Sequence, residues 1–226
     1  MELDAARRLV RRAGAGAMLW FPALFMVVFV MHHRSLQQFF TFRLRFTPPD
    51  AERMVSRLIE IGRARAVVHD PHVLGYLSMP VFLACVLSVA RLLWTRTPGI
   101  ALVGGTLGAI GSIYLGSLFG TWSAFFAIGN VPPEHLAGAT AAWKALTEMQ
   151  GVLALTTLLS RLAIVSLVVL AAGLWRSRVV ARWSPLLIAA GSLLILAFAD
   201  LDNWMFLGSS LIFIGMIPVR RAILNS

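Results

Sequence analysis

The sequence predicts an all-α membrane protein, a polytopic bundle of six transmembrane helices with one amphipathic interfacial helix. Hydrophobic residues make up 58% of the 226-residue chain and charged residues only 13%, whereas soluble domains have about 25% charged residues. Several apolar runs also reach the roughly 20 residues that a helix needs to cross a bilayer. We therefore interpret residues 1–226 as a single transmembrane domain surrounded by lipid.

The apolar runs place the six spans along the chain. The first run follows a basic lead and is not followed by a small-x-small cleavage site, which favours a retained span over a signal peptide. Pro80 predicts a kink in the second span. The predicted spans are about 13–31, 73–93, 99–119, 151–175, 185–199 and 204–217.

The polar stretch between the first two spans predicts the interfacial helix, at about residues 48–68. Thr47 and Pro48 have the chemistry of a helix start. Apolar residues then recur at helical spacing, but the arginines between them make the segment too charged to cross a bilayer. Asp70-Pro71 is expected to end this helix and start the next, because a proline disfavours the helical conformation of the residue before it.

The distribution of basic residues predicts cytoplasmic termini and a multi-pass protein of the cell membrane. Six spans put both termini on one side. With that side inside, the inner segments hold eleven arginines, the outer segments hold eight basic residues, and Arg161 is the remaining one of twenty. The short loops favour this orientation. The net charge of +10 is therefore assigned to membrane orientation and not to nucleic-acid binding.

Small residues recur at every fourth position of the third predicted span. On a helix they form a nearly continuous stripe, which lets another helix backbone approach closely. We interpret the stripe as a packing surface, either within the chain or towards a membrane-protein partner or a second copy. Its members are Gly104, Gly108, Ser112, Gly116 and Gly120.

The histidines collect at the outer ends of the predicted spans. Imidazole and carboxylate groups are ligands for zinc, copper and iron, and imidazole also binds haem iron. The densest segment runs from His69 to His72, and His33 ends the first span within reach of the same mouth. These three histidines are the candidate ligands of a metal ion or haem. The competing interpretation is that Asp70 caps the second span and that the histidines lie in the interfacial layer.

The last two spans form a tight hairpin. Only 34 residues run from Pro185 to Pro218, whereas two crossings would need roughly 40. The turn is therefore expected below the outer surface. Asp200, Asp202 and Asn203 then form either the polar floor of a ligand pocket or the cap of the last helix.

Arg161 lies about ten residues into the fourth predicted span. An arginine at mid-bilayer costs about 2.5–3.5 kcal/mol on insertion scales, so two interpretations stay open. In the first, Arg161 faces the bundle interior and pairs with a carboxylate, with carbonyl groups or with an anionic ligand head group. In the second, it snorkels towards the membrane surface.

No sequence motif specifies a reaction, and whether the protein is an enzyme stays open. The first hypothesis is a polar site at the extracytoplasmic helix ends that binds a metal, haem, quinone or lipid-like ligand. The alternative is a non-catalytic accessory subunit of a larger membrane complex, in which the glycine stripe supplies contacts. A small transporter is ranked third, because transporters typically contain pairs of discontinuous helices and no such pair is evident in the sequence.

Overall fold

A computed structural model describes residues 2–31, 65–126, 132–148, 151–198 and 201–226. These ranges contain eight α-helices and a short 3₁₀ turn, Pro133–His135, and no strand occurs in them, which confirms the all-α class. The helices are α1 (Glu2–Met31), α2 (Arg65–Leu77), α3 (Met79–Leu93), α4 (Pro98–Phe126), α5 (Leu136–Thr147), α6 (Val152–Ser177), α7 (Trp183–Ala197) and α8 (Asp202–Leu224).

Five helical stretches are long and apolar enough to cross a membrane. They are Asp4–Met31, His69–Leu93, Pro98–Ala124, Val152–Ser177 and Asn203–Leu224. The fifth predicted span, 185–199, corresponds to the shorter apolar helix α7, whose 15 residues extend about 22 Å at 1.5 Å per residue. The predicted interfacial helix lies outside the described residues, except for residues 65–68, which belong to α2.

The prediction that Asp70-Pro71 separates two helices is wrong. Helix α2 runs from Arg65 through Pro71 to Leu77. A proline inside a helix removes one backbone hydrogen bond and crowds the carbonyl group four residues earlier. That local cost does not end α2, which packs against α1 and α4.

The second span is interrupted at Ser78, two residues before the predicted kink at Pro80. Helix α2 ends at Leu77 and α3 begins at Met79. Pro80 has no N–H group for the carbonyl of Tyr76. The Ser78 hydroxyl donates to the Gly75 carbonyl oxygen at 2.6 Å, which satisfies one acceptor at the break.

The spans form a closed ring with α3 reaching across its middle. Helices α1, α8, α7, α6 and α4 pack in that order, and α2–α3 closes the ring between α4 and α1. Helix α3 also contacts α6 and α8, so its inward face is fully buried at Phe82, Val86 and Leu93. The only cysteine, Cys85, donates from Sγ to Met18 Sδ of α1 at 3.7 Å. It is therefore part of the packed core.

Glycines bring α4 and α6 into backbone contact. A methyl group at Gly111 would lie 2.0 Å from the backbone nitrogen of Ala163, and one at Gly104 would lie 2.7 Å from the Leu170 side chain. Because both distances are shorter than any normal van der Waals contact, only glycine fits at this separation of the helices. The two helices run antiparallel, since the later residue on α4 meets the earlier residue on α6.

The predicted small-residue stripe winds around α4 instead of facing one neighbour. Residues four apart on an α-helix differ by about 40° in direction. Consequently Gly104 faces α6 whereas Gly120 lies closest to Tyr76 of α2, and the tightest contact is made by Gly111, which is not in the stripe. Four stripe positions are buried and Gly120 is half-buried within the chain itself. Docking of a partner along this stripe stays an untested prediction.

Helices α7 and α8 form an equally close antiparallel pair. A methyl group at Gly191 would lie 2.3 Å from the Gly208 carbonyl oxygen. Seven residues before Gly191 on α7 and seven after Gly208 on α8, the buried Ser184 hydroxyl donates to the Gly215 carbonyl oxygen at 2.7 Å. Small residues at a spacing of seven therefore define the register of this hairpin.

Both termini lie at the same end of the bundle. The Arg11 guanidinium at Nη1 donates to the carbonyl oxygen of Ser226, which joins the first turns of α1 to the last residue of the chain. This is the arrangement that an even number of crossings produces. The side of the membrane on which they lie stays a prediction.

Gly111→Ala should destabilise the protein, and Gly116→Ala should not. The first change forces a methyl group into the Ala163 backbone, an overpacking that we expect to cost about 1–3 kcal/mol. The second meets only Met79 Cγ at 3.2 Å, the flexible part of a side chain. Unfolding of both variants by sodium dodecyl sulfate in mixed micelles measures the difference. Equal stabilities would contradict the backbone contact.

Candidate functional site

The structure describes part of the predicted outer site. His33 and Asp200 lie outside the described residues. Asp202 begins α8, but its side chain is likewise outside the description. The placed side chains are those of His69 and His72 on α2 and Asn203 at the start of α8. Together with the end of α1, these helix ends lie at the end of the bundle opposite the termini.

His69 and Asp70 form a hydrogen-bonded pair. His69 Nδ1 lies 2.9 Å from Asp70 Oδ1, with exposed side-chain fractions of 25% and 43%. A carboxylate that accepts a hydrogen bond from one ring nitrogen of a histidine determines which tautomer is present, and so the role of the other nitrogen. The pair therefore presents an oriented imidazole at the end of the bundle.

His72 lies at the edge of an aromatic cluster in the bundle. Its ring centroid is 6.0 Å from that of Phe119, with the planes inclined at 66°. Phe119 in turn packs edge-on against Phe25 at 6.0 Å. Further ring contacts extend the cluster, which we call the aromatic layer: Phe21, Phe25, Phe29, Phe82 and Phe119.

Gly75 makes room for this arrangement. It follows His72 by about one helical turn, and a methyl group there would lie 2.9 Å from the Phe119 ring. The ring of Phe119 therefore occupies the space that a side chain at position 75 would take. The phenylalanine spacing on α1 is visible in the sequence, but the contribution of Phe119 from α4 depends on helix packing.

The described residues contain no group of three or more histidine, cysteine, aspartate or glutamate side chains arranged to hold a metal ion. His69 has a carboxylate neighbour and His72 has an aromatic one. The predicted third ligand, His33, lies outside the described residues. Within the described ranges, the histidines thus offer hydrogen bonds and ring contacts.

The turn between α7 and α8 is held by an aromatic stack and a buried amide. The rings of Phe198 and Trp204 stack at 4.6 Å with an interplanar angle of 16°. Asn203 is 5% exposed, and its Oδ1 accepts a hydrogen bond from the Trp204 backbone N–H at 3.1 Å. Sequence reasoning missed the stack, although the two aromatics flanking Asp200–Asn203 were a signal for it.

Arg161 lies on the exposed outer face of α6. Leu158, three residues before it, and Trp175, fourteen residues after it, are also exposed. No hydrogen bond or ion pair joins it to another group in the part of the chain that the structure describes. The structure thus places Arg161 on the outer face of the bundle, and its role in binding a ligand stays a prediction. Its outward position follows from helical phase, since Ala163 and Leu167 occupy the buried side.

An open apolar groove lies between α1 and α3, with a volume of about 530 Å³. Sequence reasoning did not find it, although the run of alanine and glycine from Ala13 to Ala17 was a signal. Half of its lining residues are alanine or glycine, and Trp20, which is 65% exposed, stands at its rim. The lining residues are Ala13, Gly16, Ala17, Trp20, Leu24, Pro80, Val81 and Ala84.

Comparison with protein-family models, with curated proteins and with solved structures finds no match to this chain.

Asn203→Leu should lower the stability of the protein, whereas Asn225→Leu should not. Asn203 is buried, and its loss leaves the Trp204 N–H without its acceptor, which costs about 1–3 kcal/mol. Asn225 is exposed at the end of α8 and provides a matched control. Thermal unfolding in detergent measures both variants. An unchanged midpoint for Asn203→Leu would contradict a structural role for this amide.

Proposed function

We propose that the protein is a membrane-embedded binding protein for an amphipathic organic ligand, of the quinone or lipid-like class, bound beside His69 and His72 of α2. The observation that carries the proposal is the contact of His72 with Phe119 at the edge of the aromatic layer. The five long apolar helices support the membrane-embedded part of the proposal.

The chemistry of this end of α2 changes over a single helical turn. The His69–Asp70 pair is partly exposed and supplies hydrogen-bonding groups. Below it, the aromatic layer supplies an apolar surface whose rings favour edge-to-face and offset contacts. A ligand with a polar head and a planar or aliphatic body matches both parts. Sites for small organic molecules typically combine such apolar walls with a few placed polar groups.

Metal or haem binding has weaker support. Coordination needs several ligands at one point, and no group of three forms among the described residues. The organic ligand needs only one or two hydrogen bonds, which His69 and His72 supply. With the predicted cytoplasmic termini in the cell membrane, the proposed site opens on the extracytoplasmic side.

His72→Leu should weaken binding of an organic probe, whereas His135→Leu should not. The probes are a decyl-substituted benzoquinone and a monoglyceride, titrated into purified protein and followed by tryptophan fluorescence. We expect saturable binding of at least one probe to the wild type, with a Kd about tenfold higher in His72→Leu, equivalent to about 1.4 kcal/mol.

His135 is an exposed histidine beside α5 and is the matched control. The same Kd in wild type and His72→Leu would contradict the proposed site. The absence of saturable binding of both probes to the wild type would contradict it as well.

The groove between α1 and α3 favours the alternative function, an accessory subunit that binds a transmembrane helix of a partner protein. Contacts between helices in membranes are enriched in small residues because these allow close approach. Ala13, Gly16 and Ala84 line the groove and leave it open towards the lipid. On this interpretation the protein acts by docking, and its histidines have no ligand.

Gly16→Leu separates the two functions. A side chain at Gly16 meets only Trp20 Cδ1 at 3.9 Å, so leucine fills the groove without disturbing the fold. If a partner helix occupies the groove, the complex extracted from native membranes in mild detergent should lose mass on a native gel. Gly99→Leu, also at an open position, should leave the mass unchanged. An unchanged complex in Gly16→Leu would exclude this groove as the docking surface.

A further inference from the structure

An unpaired arginine lies on a lipid-facing surface of α6. Arg161 comes nine residues after the start of the helix at Val152 and sixteen before its end at Ser177. Its side chain is exposed and has no hydrogen-bond or ion-pair partner in the described part of the chain. Because a charge in the hydrocarbon region is costly, an anionic or strongly polar group beside Arg161 would stabilise this position.

The depth of Arg161 follows from an interfacial marker on the same helix. Trp175 lies under the guanidinium of Arg182 at 5.3 Å, and tryptophan and arginine commonly mark the membrane–water boundary. The fourteen residues from Trp175 to Arg161 extend about 21 Å at 1.5 Å per residue. In a hydrocarbon core of about 30 Å, Arg161 is then about 9 Å from the opposite boundary. Snorkelling brings the guanidinium group nearer to it.

Helix α7 ends at the same depth. It starts beside Trp175, because Arg182 immediately precedes Trp183, and Ala197 is fourteen residues further on. The end of α7 and Arg161 are therefore both about 21 Å from the same boundary by helical rise. Helices α6 and α7 are packed together, and the part of α6 before Arg161 extends past the end of α7. The lipid leaflet at that level therefore lies beside α6 and over the end of α7.

A second polar group on α6 lacks a partner. The Thr157 hydroxyl oxygen is buried and makes no hydrogen bond with the described chain. The hydroxyls of its neighbours Thr156 and Ser160 donate to backbone carbonyl oxygens of α6, each at 2.8 Å. Thr157 precedes Arg161 by four residues, so the two share one side of the helix, with Thr157 nearer to the membrane surface.

The surrounding surface favours a lipid over a partner helix. Leu155 and Leu158 are 52% and 61% exposed on this part of α6. Bulky aliphatic side chains are suited to acyl chains, whereas contacts between transmembrane helices use small residues. Acyl chains against the leucines would place a head group near Thr157 and Arg161.

We propose that Arg161 and Thr157 bind the phosphate group of a phospholipid in the leaflet that contains the turn between α7 and α8. Arginine donates two parallel hydrogen bonds to phosphate. The Thr157 hydroxyl, which is buried in the structure, donates a third after rotation of the side chain about its Cα–Cβ bond, since threonine in a helix has two χ1 rotamers. The short helix α7 leaves the head group room to descend to this depth. The site is on α6 and is independent of the ligand site proposed on α2.

Native mass spectrometry with dioleoyl phosphatidylglycerol tests the proposal. The wild type should retain the lipid. Arg161→Gln should lower the apparent affinity at least tenfold, Arg161→Lys should lower it less because it keeps the charge, and Thr157→Val should lower it about threefold. Arg91→Gln, which removes another exposed arginine of a spanning helix, should bind as the wild type does. Retention of a phosphate-free monoglyceride should be the same in the wild type and in Arg161→Gln, and inorganic phosphate should not compete with the phospholipid.

The proposal is overturned if Arg161→Gln retains phosphatidylglycerol as well as the wild type. It is also overturned if Arg91→Gln causes the same loss, because binding would then reflect total charge alone. Competition by inorganic phosphate would show that the site binds the free ion and not a lipid. Loss of a co-purifying protein in Arg161→Gln, with lipid retention unchanged, would show that Arg161 pairs with a carboxylate of a partner protein. None of these outcomes depends on the quinone and monoglyceride titrations at His72.

Discussion

Close backbone contact between helices is the constraint on which the rest of this bundle depends. Lipid chains are as apolar as leucine, so burying leucine between helices gains little in a membrane, and fit between surfaces decides association. The fit here comes from glycines: Gly111 against the Ala163 backbone and Gly191 against Gly208. These contacts set the spacing of α4 from α6 and of α7 from α8. The aliphatic core then fills the remaining space around α3.

This rigid frame presents polar groups in two different settings. On α2, His72 contacts aromatic rings contributed by other helices, and Gly75 provides the space that Phe119 needs. On the outside of α6, Arg161 stands among leucines with no partner in the described chain. The first setting suits a ligand that enters the bundle, and the second suits a head group that remains in the bilayer. The two proposals therefore concern separate surfaces.

The short length of α7 connects the fold to the setting of Arg161 on the outside of α6. The 34 residues available for two crossings already predicted a turn below the surface, and the structure shows that α7 accounts for the shortage with only 15 residues. The turn is closed by the stack of Phe198 on Trp204 and by the buried amide of Asn203. These contacts satisfy polar groups and cover backbone, as a turn below the membrane surface would require.

Much of the architecture was predictable from the sequence because it depends on local properties. The length of an apolar run decides whether it spans a bilayer, and backbone hydrogen bonding in lipid requires that span to be helical. The interruption of the second span near Pro80 was also predictable, because it depends on the missing N–H group of a single proline. The break expected at Pro71 was not found, because packing of α2 against its neighbours outweighs the loss of one hydrogen bond.

The sequence by itself determined the membrane class, the helical spans and the small-residue character of α4. Only the tertiary structure decided which glycine makes the critical contact, which face of α6 carries Arg161 and which rings surround His72. Each of these depends on the rotation of one helix relative to another. A stripe drawn at every fourth residue turns by about 40° per step, so Gly104 and Gly120 meet different helices. Such rotations result from the packing of the whole ring, which no single segment of the sequence specifies.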